Sequence, residues 1–227
     1  MKIVSFSDIH GYFSVFKKTS DFLKDADVVI LAGDITDFGT KKDIETAIRS
    51  LKSLFEGQIF GVLGNCDYPS CESSLDSFRI NLHNNVVKYG GYQFAGIGGS
   101  LVTPFSTPNE YEEDEYEYFL DNIASKLEPG IPLIFVAHQP PFDSECDILS
   151  SGIKSGSRSV RAFIEKYQPD VCFSGHVHES VAISYIGDTA VINPGPVRKG
   201  RAGVFMESEK GAKEKFIEKI FGLFWTR

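Results

Sequence analysis

Five short clusters along the chain carry side chains able to bind a metal ion: Asp8-Ile9-His10, Gly33-Asp34, Gly64-Asn65-Cys66-Asp67, the lone His138, and Gly175-His176-Val177-His178. A D-x-H or a G-D alone carries almost no information, because aspartates and glycines are commonplace at caps and turns. Here, however, every cluster directly follows an apolar run of strand character, and four of the five histidines of the chain fall within the set. The pair His176 and His178, two residues apart, needs loop geometry for both rings to reach neighbouring ions. The donors are carboxylate, imidazole and amide oxygen with no thiolate pair, which suits Mn, Fe, Co, Ni or Zn and excludes a structural zinc finger. Seven candidate ligands, Asp8, His10, Asp34, Asn65, His138, His176 and His178, are too many for one tetrahedral ion. They fit two adjacent divalent ions sharing a bridging carboxylate.

Such a site requires elements that bring distant loops to one point. Residues 2–7 form a short β-rich run, and residues 13–23 follow with apolar positions closer to helical than to alternating period. The unit repeats as a strand at 28–32 and a helix over about 41–55, with Ile44, Ile48, Leu51 and Leu54 on one face, and again as a strand at 59–63. Nearly unbroken apolar strands alternating with amphipathic helices predict an α/β layer structure whose first half is parallel and buried on both faces. In such sheets the carboxyl ends of the strands line one crevice. Glycines just before Asp34, Asn65 and His176 allow tight turns and close backbone approach there. Beyond residue 84 the rhythm changes: short strands near 86–87 and 94–97, a long Gly/Ser/Thr/Pro-rich loop over 98–108, and an acidic helix with residues 110–117 on its exposed face. Further strands are expected at 133–137 and 171–174 around a helix near 157–167. The closing strands at 182–186, 189–192 and 203–206 are joined by short Gly-containing turns, which suggests antiparallel pairing.

At 227 residues and 42% hydrophobic, the chain can bury one sizeable core, so residues 1–227 are expected to form a single domain. Residues 209–227 read as an amphipathic C-terminal tail, in which Phe216, Ile217, Ile220, Phe221, Leu223, Phe224 and Trp225 pack on the domain or between the subunits of a homo-oligomer. A formal net charge of −8 disfavours nonspecific binding to nucleic acid or to an anionic membrane. The apolar run at the N-terminus is too short for a signal peptide, and nowhere do 18 uncharged apolar residues stand in a row. Four cysteines without a CxxC pair fit a reducing compartment, so a cytoplasmic location is expected. Cys71, Cys146 and Cys172 read as buried or incidental thiols, His83 as a surface histidine, and Asp67 as a turn residue supporting the ligands. Arg198, Lys199 and Arg201 follow the turn Asn193-Pro194-Gly195-Pro196. They form a solvated basic loop or, in the functional alternative, a contact to a substrate phosphate.

The succession D-x-H, G-D, G-N-x-D, H, G-H-x-H over residues 8–178 resembles the calcineurin-like metallophosphoesterases. Within that superfamily, His138-Gln139-Pro140-Pro141, Gly175-His176-Val177-His178-Glu179 and the stretch from Pro104 to Glu110 are similar to the Icc-related phosphoesterases. The resemblance implies a four-layer αββα sandwich of mixed sheets with the metals at the carboxyl ends of the strands. It also implies that Asp8, His10 and His178 hold one metal, Asn65, His138 and His176 the other, and that Asp34 bridges them. On this reading a water held between the ions is deprotonated near neutral pH and attacks phosphorus in line, and no covalent enzyme intermediate is needed. The expected substrate is a small phosphate ester, a diester of nucleotide or cyclic-nucleotide type before a monoester. One departure stands out: Cys66 occupies the position where the family commonly has a histidine thought to orient substrate and protonate the leaving group. A second reading, from another class, is a binding or scaffold protein that keeps the fold without turnover, as a retromer subunit resembling this family does. The complete ligand set favours catalysis, and the charge and the lack of a nucleic-acid-binding segment disfavour a nuclease.

Overall fold

The computed structural model describes residues 1–208 and 211–219. The first half runs β1 (Lys2–Phe6), α1 (Val15–Leu23), β2 (Val28–Ala32), α2 (Lys41–Lys52) and β3 (Gln58–Val62), then α3 (Glu72–Ser77). There follow β4 (Asn85–Tyr89), β5 (Tyr92–Ile97), the two-residue strands β6 (Ser100–Leu101) and β7 (Glu110–Tyr111), α4 (Glu113–Lys126) and β8 (Leu133–Ala137). The chain closes with α5 (Arg158–Tyr167), β9 (Val171–Phe173), β10 (Ala182–Ile186), β11 (Thr189–Asn193), β12 (Arg201–Glu207) and β13 (Lys213–Lys219).

Two mixed sheets stack face to face. The first has the order β13-β12-β1-β2-β3 and the second β10-β11-β9-β8-β5-β4. Strands β1, β2 and β3 are mutually parallel, as are β5, β8, β9 and β11, so the carboxyl ends of β1, β2, β3, β8 and β9 can open onto one edge of the sandwich. Alternation along each strand divides the apolar residues between two cores. In β2, Val28, Ile30 and Ala32 turn toward the second sheet and meet Phe94, Ile134, Val136 and Phe173, whereas Val29 and Leu31 turn outward to Val15, Phe16, Ile44, Ile48 and Leu51 on the helices. On the far side, Phe135 and Ala137 of β8 pack against Tyr116, Leu120 and Ile123 of α4 and Val160, Phe163 and Ile164 of α5. Three apolar layers between four structural layers make the expected αββα sandwich.

Three of the helices begin at side-chain caps. Thr40 and Asp43 form a reciprocal capping box on α2, Glu112 and Glu115 do the same on α4, and the Ser157 hydroxyl accepts the Val160 amide on α5.

Several features differ from expectation. β12 pairs antiparallel, but with β1 and β13 of the first sheet instead of with β11. The linker from β11 holds Pro194 and Pro196, which lack amide donors, so it leaves the second sheet and crosses to the first, where Pro196 bridges to Ser7. The acidic run is not simply one helix face: Glu110 and Tyr111 form β7, and the half-buried Glu113 accepts hydrogen bonds from the Ser157 hydroxyl and the Ser159 amide, both at 2.6 Å, at the start of α5. His83 is not on the surface. It is partly buried, its Nδ1 accepts the Gly98 amide at 3.0 Å, and its ring packs on Tyr111 and Phe119. Of the tail, residues 213–219 form the edge strand β13 with Ile217 packed on the inter-sheet core, while Ile220, Phe221, Leu223, Phe224 and Trp225 lie outside the described residues. No helix among the described residues is long and apolar enough to cross a membrane.

Candidate metal centre

All seven candidate ligands stand just beyond the carboxyl ends of five strands. Asp8 and His10 follow β1, Asp34 follows β2, Asn65 follows β3, His138 follows β8, and His176 and His178 follow β9. The turns that present them are sharp. Asp8, His10, Asp34 and His176 all have left-handed backbones, with φ of 52°, 45°, 48° and 66°. Such conformations cost on the order of 1 kcal/mol or more apiece and persist only where the surroundings enforce them. Two glycines permit the crowding: a Cβ on Gly33 would lie 2.2 Å from His138 Nδ1, and one on Gly64 would lie 2.1 Å from Asp34 Oδ1.

Asp8, His10, Asp34 and His178 offer ligand atoms all within 4.8 Å of one another. Asn65 Oδ1 lies 3.1 Å from His138 Nε2 and 2.8 Å from His176 Nδ1, which gathers the remaining three donors. Asp34 stands between the groups, its Oδ2 3.7 Å from His10 Nε2 and its Oδ1 3.5 Å from His138 Nε2. Supporting bonds hold the carboxylates. Asp8 accepts from the Ser7 hydroxyl (2.8 Å) and the His176 amide (3.1 Å), and Asp34 accepts the Cys66 amide (2.8 Å). Asp67 is buried and accepts from the amides of Ile35, Thr36 and Gly64 and from the Thr36 hydroxyl, tying the β2 and β3 turns together.

The donor chemistry fits divalent ions. The Ala32 carbonyl lies 2.8 Å from His138 Nδ1, so that nitrogen carries the proton and Nε2 presents a lone pair to Asn65 Oδ1, itself an acceptor. Likewise His10 Nε2 and His178 Nε2 face each other at 3.1 Å, where neutral rings can supply at most one hydrogen between them. Acceptors crowded against acceptors are satisfied by a cation. Without one, a proton takes that place: burial resists the charge on His138, but Asp34 and Asp8 beside it push its pKa up to about 9. Asp34 is correspondingly held well below the usual carboxylate range, since the neighbouring His138 outweighs the effect of burial. Burial, helped by the His138 charge, pushes His176 down to about 4.

The centre floors a cavity of about 800 Å³, lined on one side by residues of the 98–108 loop. Thr107 and Glu110, which the sequence presents only as part of the Pro104–Glu110 stretch and the acidic run, are drawn into the site. Asn65 Nδ2 donates to Thr107 Oγ1 at 3.0 Å, and Glu110 Oε1 accepts from the Thr107 hydroxyl, the Thr107 amide (2.8 Å) and the Thr103 hydroxyl (2.6 Å). Their spacing, T-x-x-E, is that of a helix capping box, and here it latches a loop to the candidate ligand Asn65 instead. Cys66 lines the cavity half-buried, and burial together with Asp34, Asp67 and Asp37 pushes its thiol far above the ordinary range. Cys71, Cys146 and Cys172 are buried free thiols. Arg198 sits exposed in a single 3-10 turn, Val197–Lys199, and is not among the residues lining the cavity.

The family model of the calcineurin-like phosphoesterases matches residues 1–180. An uncharacterized protein of Methanocaldococcus jannaschii is 39% identical over 201 residues, covering 86% of this chain and 88% of the relative. A 3',5'-cyclic-nucleotide phosphodiesterase of Nostoc is 22% identical over 78% of this chain and 65% of its own length. Among solved structures, a Thermus thermophilus protein superposes with a TM-score of 0.75 at 19% identity, covering 97% of this chain and 99% of that one. A dimetal phosphatase from Danio rerio does so with a TM-score of 0.66 at 11% identity, over 97% and 99% of the two chains.

Proposed function

Because the chain belongs to the calcineurin-like phosphoesterase family, we propose that it is a dinuclear metal-dependent hydrolase of small phosphate esters, acting on diesters of nucleotide or cyclic-nucleotide type before monoesters. The observation that carries this reading is the meeting of seven lone-pair donors from five strand ends, five of which, His10, Asp34, Asn65, His176 and His178, line one cavity. The name of the Nostoc relative supports the diester preference.

In this proposal Asp8, His10 and His178 hold one divalent ion, Asn65, His138 and His176 hold the other, and Asp34 lies between them. When bound, the ions supply Lewis acidity, a lowered pKa for coordinated water and positive charge for the phosphoryl oxygens. The protein supplies position and neutral imidazoles. The Ala32 carbonyl fixes the His138 tautomer with Nε2 turned to the centre, and Thr107 holds the Asn65 amide so that its oxygen faces the histidines. Asp8 and Asp34 return two negative charges against the four of two divalent ions, so the pocket stays locally positive in an acidic protein. Hydrolysis joins a water oxygen to phosphorus, breaks the bond to the leaving oxygen and requires a proton there. Cys66 is the group of this chain at the family's usual acid position; without metal, burial and the neighbouring carboxylates push its thiol up, and the positive charge of bound ions acts in the opposite direction.

Metal-stripped protein given Mn, Ni, Co, Zn or Mg singly, assayed on an aryl phosphodiester and an aryl phosphomonoester beside Asp34→Asn, tests the proposal. Metal-dependent turnover abolished by the substitution is expected. Two bound ions with no turnover on either ester would move the assignment to a metal-binding scaffold.

A further inference from the structure

The walls of the cavity differ sharply from its floor. Leu101, Val102, Pro104 and Phe105 of the 98–108 loop and Phe38 beyond β2 line it, and among the described residues lining it there is no lysine or arginine. Three of these apolar side chains are strongly exposed, Phe105 at 83%, Val102 at 60% and Phe38 at 50%. Their presentation is built in. Phe38 has φ of 55°, a left-handed backbone that a bulky residue adopts only when held there, and Ser106 beside Phe105 has φ of 51°. The loop carrying Phe105 is pinned on both sides, since Thr103 and Thr107 both donate to Glu110, and the Phe105 amide donates to Thr103 Oγ1 at 3.2 Å. Glu179 also lines the cavity and adds a carboxylate, held by the Ser150 amide (2.9 Å) and hydroxyl (3.0 Å).

Resting on the phosphoesterase reading above, we infer that the site selects esters that carry a single phosphate charge and retain a flat apolar group, with Phe105, Val102 and Phe38 as specificity residues and Glu179 as the residue that rejects further anionic groups. A lone phosphate is matched by the floor of the pocket. A second phosphate would lie against the apolar wall or the Glu179 carboxylate, with neutral hydroxyls such as those of Ser151 and Ser155 but no lysine or arginine in the described lining to balance its charge, which is unfavourable. An aromatic ring in the same place exchanges water for contact with Phe105 and Phe38. The volume of about 800 Å³ accommodates a ligand of nucleoside size.

The test holds the leaving group constant. The metal-loaded protein is assayed on p-nitrophenyl phenyl phosphate, p-nitrophenyl methyl phosphate, p-nitrophenyl phosphate and the p-nitrophenyl ester of ADP, and calorimetry compares binding of diphenyl phosphate with that of dimethyl phosphate. We expect kcat/KM for the phenyl diester to exceed that for the methyl diester at least tenfold, carried mainly by KM, and the calorimetric affinities to follow the same order. Phe105→Ala and Val102→Ser should each narrow that ratio several-fold, and Glu179→Gln should raise kcat/KM for the ADP ester relative to the methyl diester. Turnover with a phenyl-to-methyl ratio near one, or ratios untouched by all three substitutions, overturns the inference while leaving the phosphoesterase reading intact. Absence of turnover on every ester with two ions bound overturns both.

Discussion

At the scale of single residues, the candidate centre crowds lone pairs that a cation or a proton can satisfy. His138 shows this most directly. Its pKa, pushed up to about 9 in the metal-free protein, means that it contributes stability fully below its unfolded value near 6.5, and that this contribution is lost as pH rises through 9. Metal must displace that proton. Metal binding at pH 7 is therefore expected to release at least one proton, and apparent affinity should rise about tenfold per pH unit toward pH 9. Calorimetry in buffers of different ionisation enthalpy measures this; affinity flat between pH 7 and 9 would show His138 already neutral. Cys66 makes the second residue-scale prediction. With a thiol in place of an imidazole at the acid position, rates should fall steeply as the leaving-group pKa rises, and Cys66→His should flatten that dependence by raising activity on alkyl esters about tenfold or more. If the slope is the same in both proteins, Cys66 does not serve as the acid.

At the scale of elements, loops that end strands do the positioning, and their fixity comes from bonds between loops. The T-x-x-E latch joins the 98–108 loop to Asn65, so Glu110→Gln is expected to loosen both the apolar wall and the Asn65, His138 and His176 half of the centre. Partners of metal ligands commonly contribute 10- to 100-fold, roughly, in metal affinity. Metal analysis should then find stoichiometry falling from two ions toward one at limiting metal, with the Asp8, His10 and His178 half retained. An unchanged stoichiometry and affinity would reduce Glu110 to a loop residue without influence on the centre.

At the scale of the whole molecule, two sheets are pressed together by a core that no single strand could bury. Phe94 is fully buried in it, its ring 4.9 Å from that of Phe60 on the facing sheet. Phe94→Ala should cost about 3–5 kcal/mol, a fall in Tm on the order of 10 °C for a protein of this size. A fall below about 2 °C in thermal unfolding would mean that the sheets repack around the cavity. Because β1, β2 and β3 belong to one sheet and β8 and β9 to the other, each half of the candidate metal centre draws on both sheets, and the same sheet contact assembles both.

What the sequence determined by itself is local and chemical. Apolar runs of strand length ending in Gly-Asp, Gly-Asn and Gly-His mark both the strands and the donors at their ends, because close approach at Gly33 and Gly64 tolerates no Cβ and so leaves a trace in residue type. The candidate donors and the parallel first half follow from such traces, and the four-layer order from the resemblance to the calcineurin-like phosphoesterases. The tertiary structure decided what depends on packing between distant segments. β12 belongs to the first sheet because Pro194 and Pro196 carry the chain across the sandwich, and antiparallel pairing alone does not say with whom. His83 is partly enclosed because Tyr111 and Phe119 fold over it from later in the chain. Thr107 and Glu110 look like a helix cap in sequence and become part of the site only through the long-range contact with Asn65. Hydrogen bonds of this kind join residues with no periodic relation to one another, so no window of sequence contains their signal.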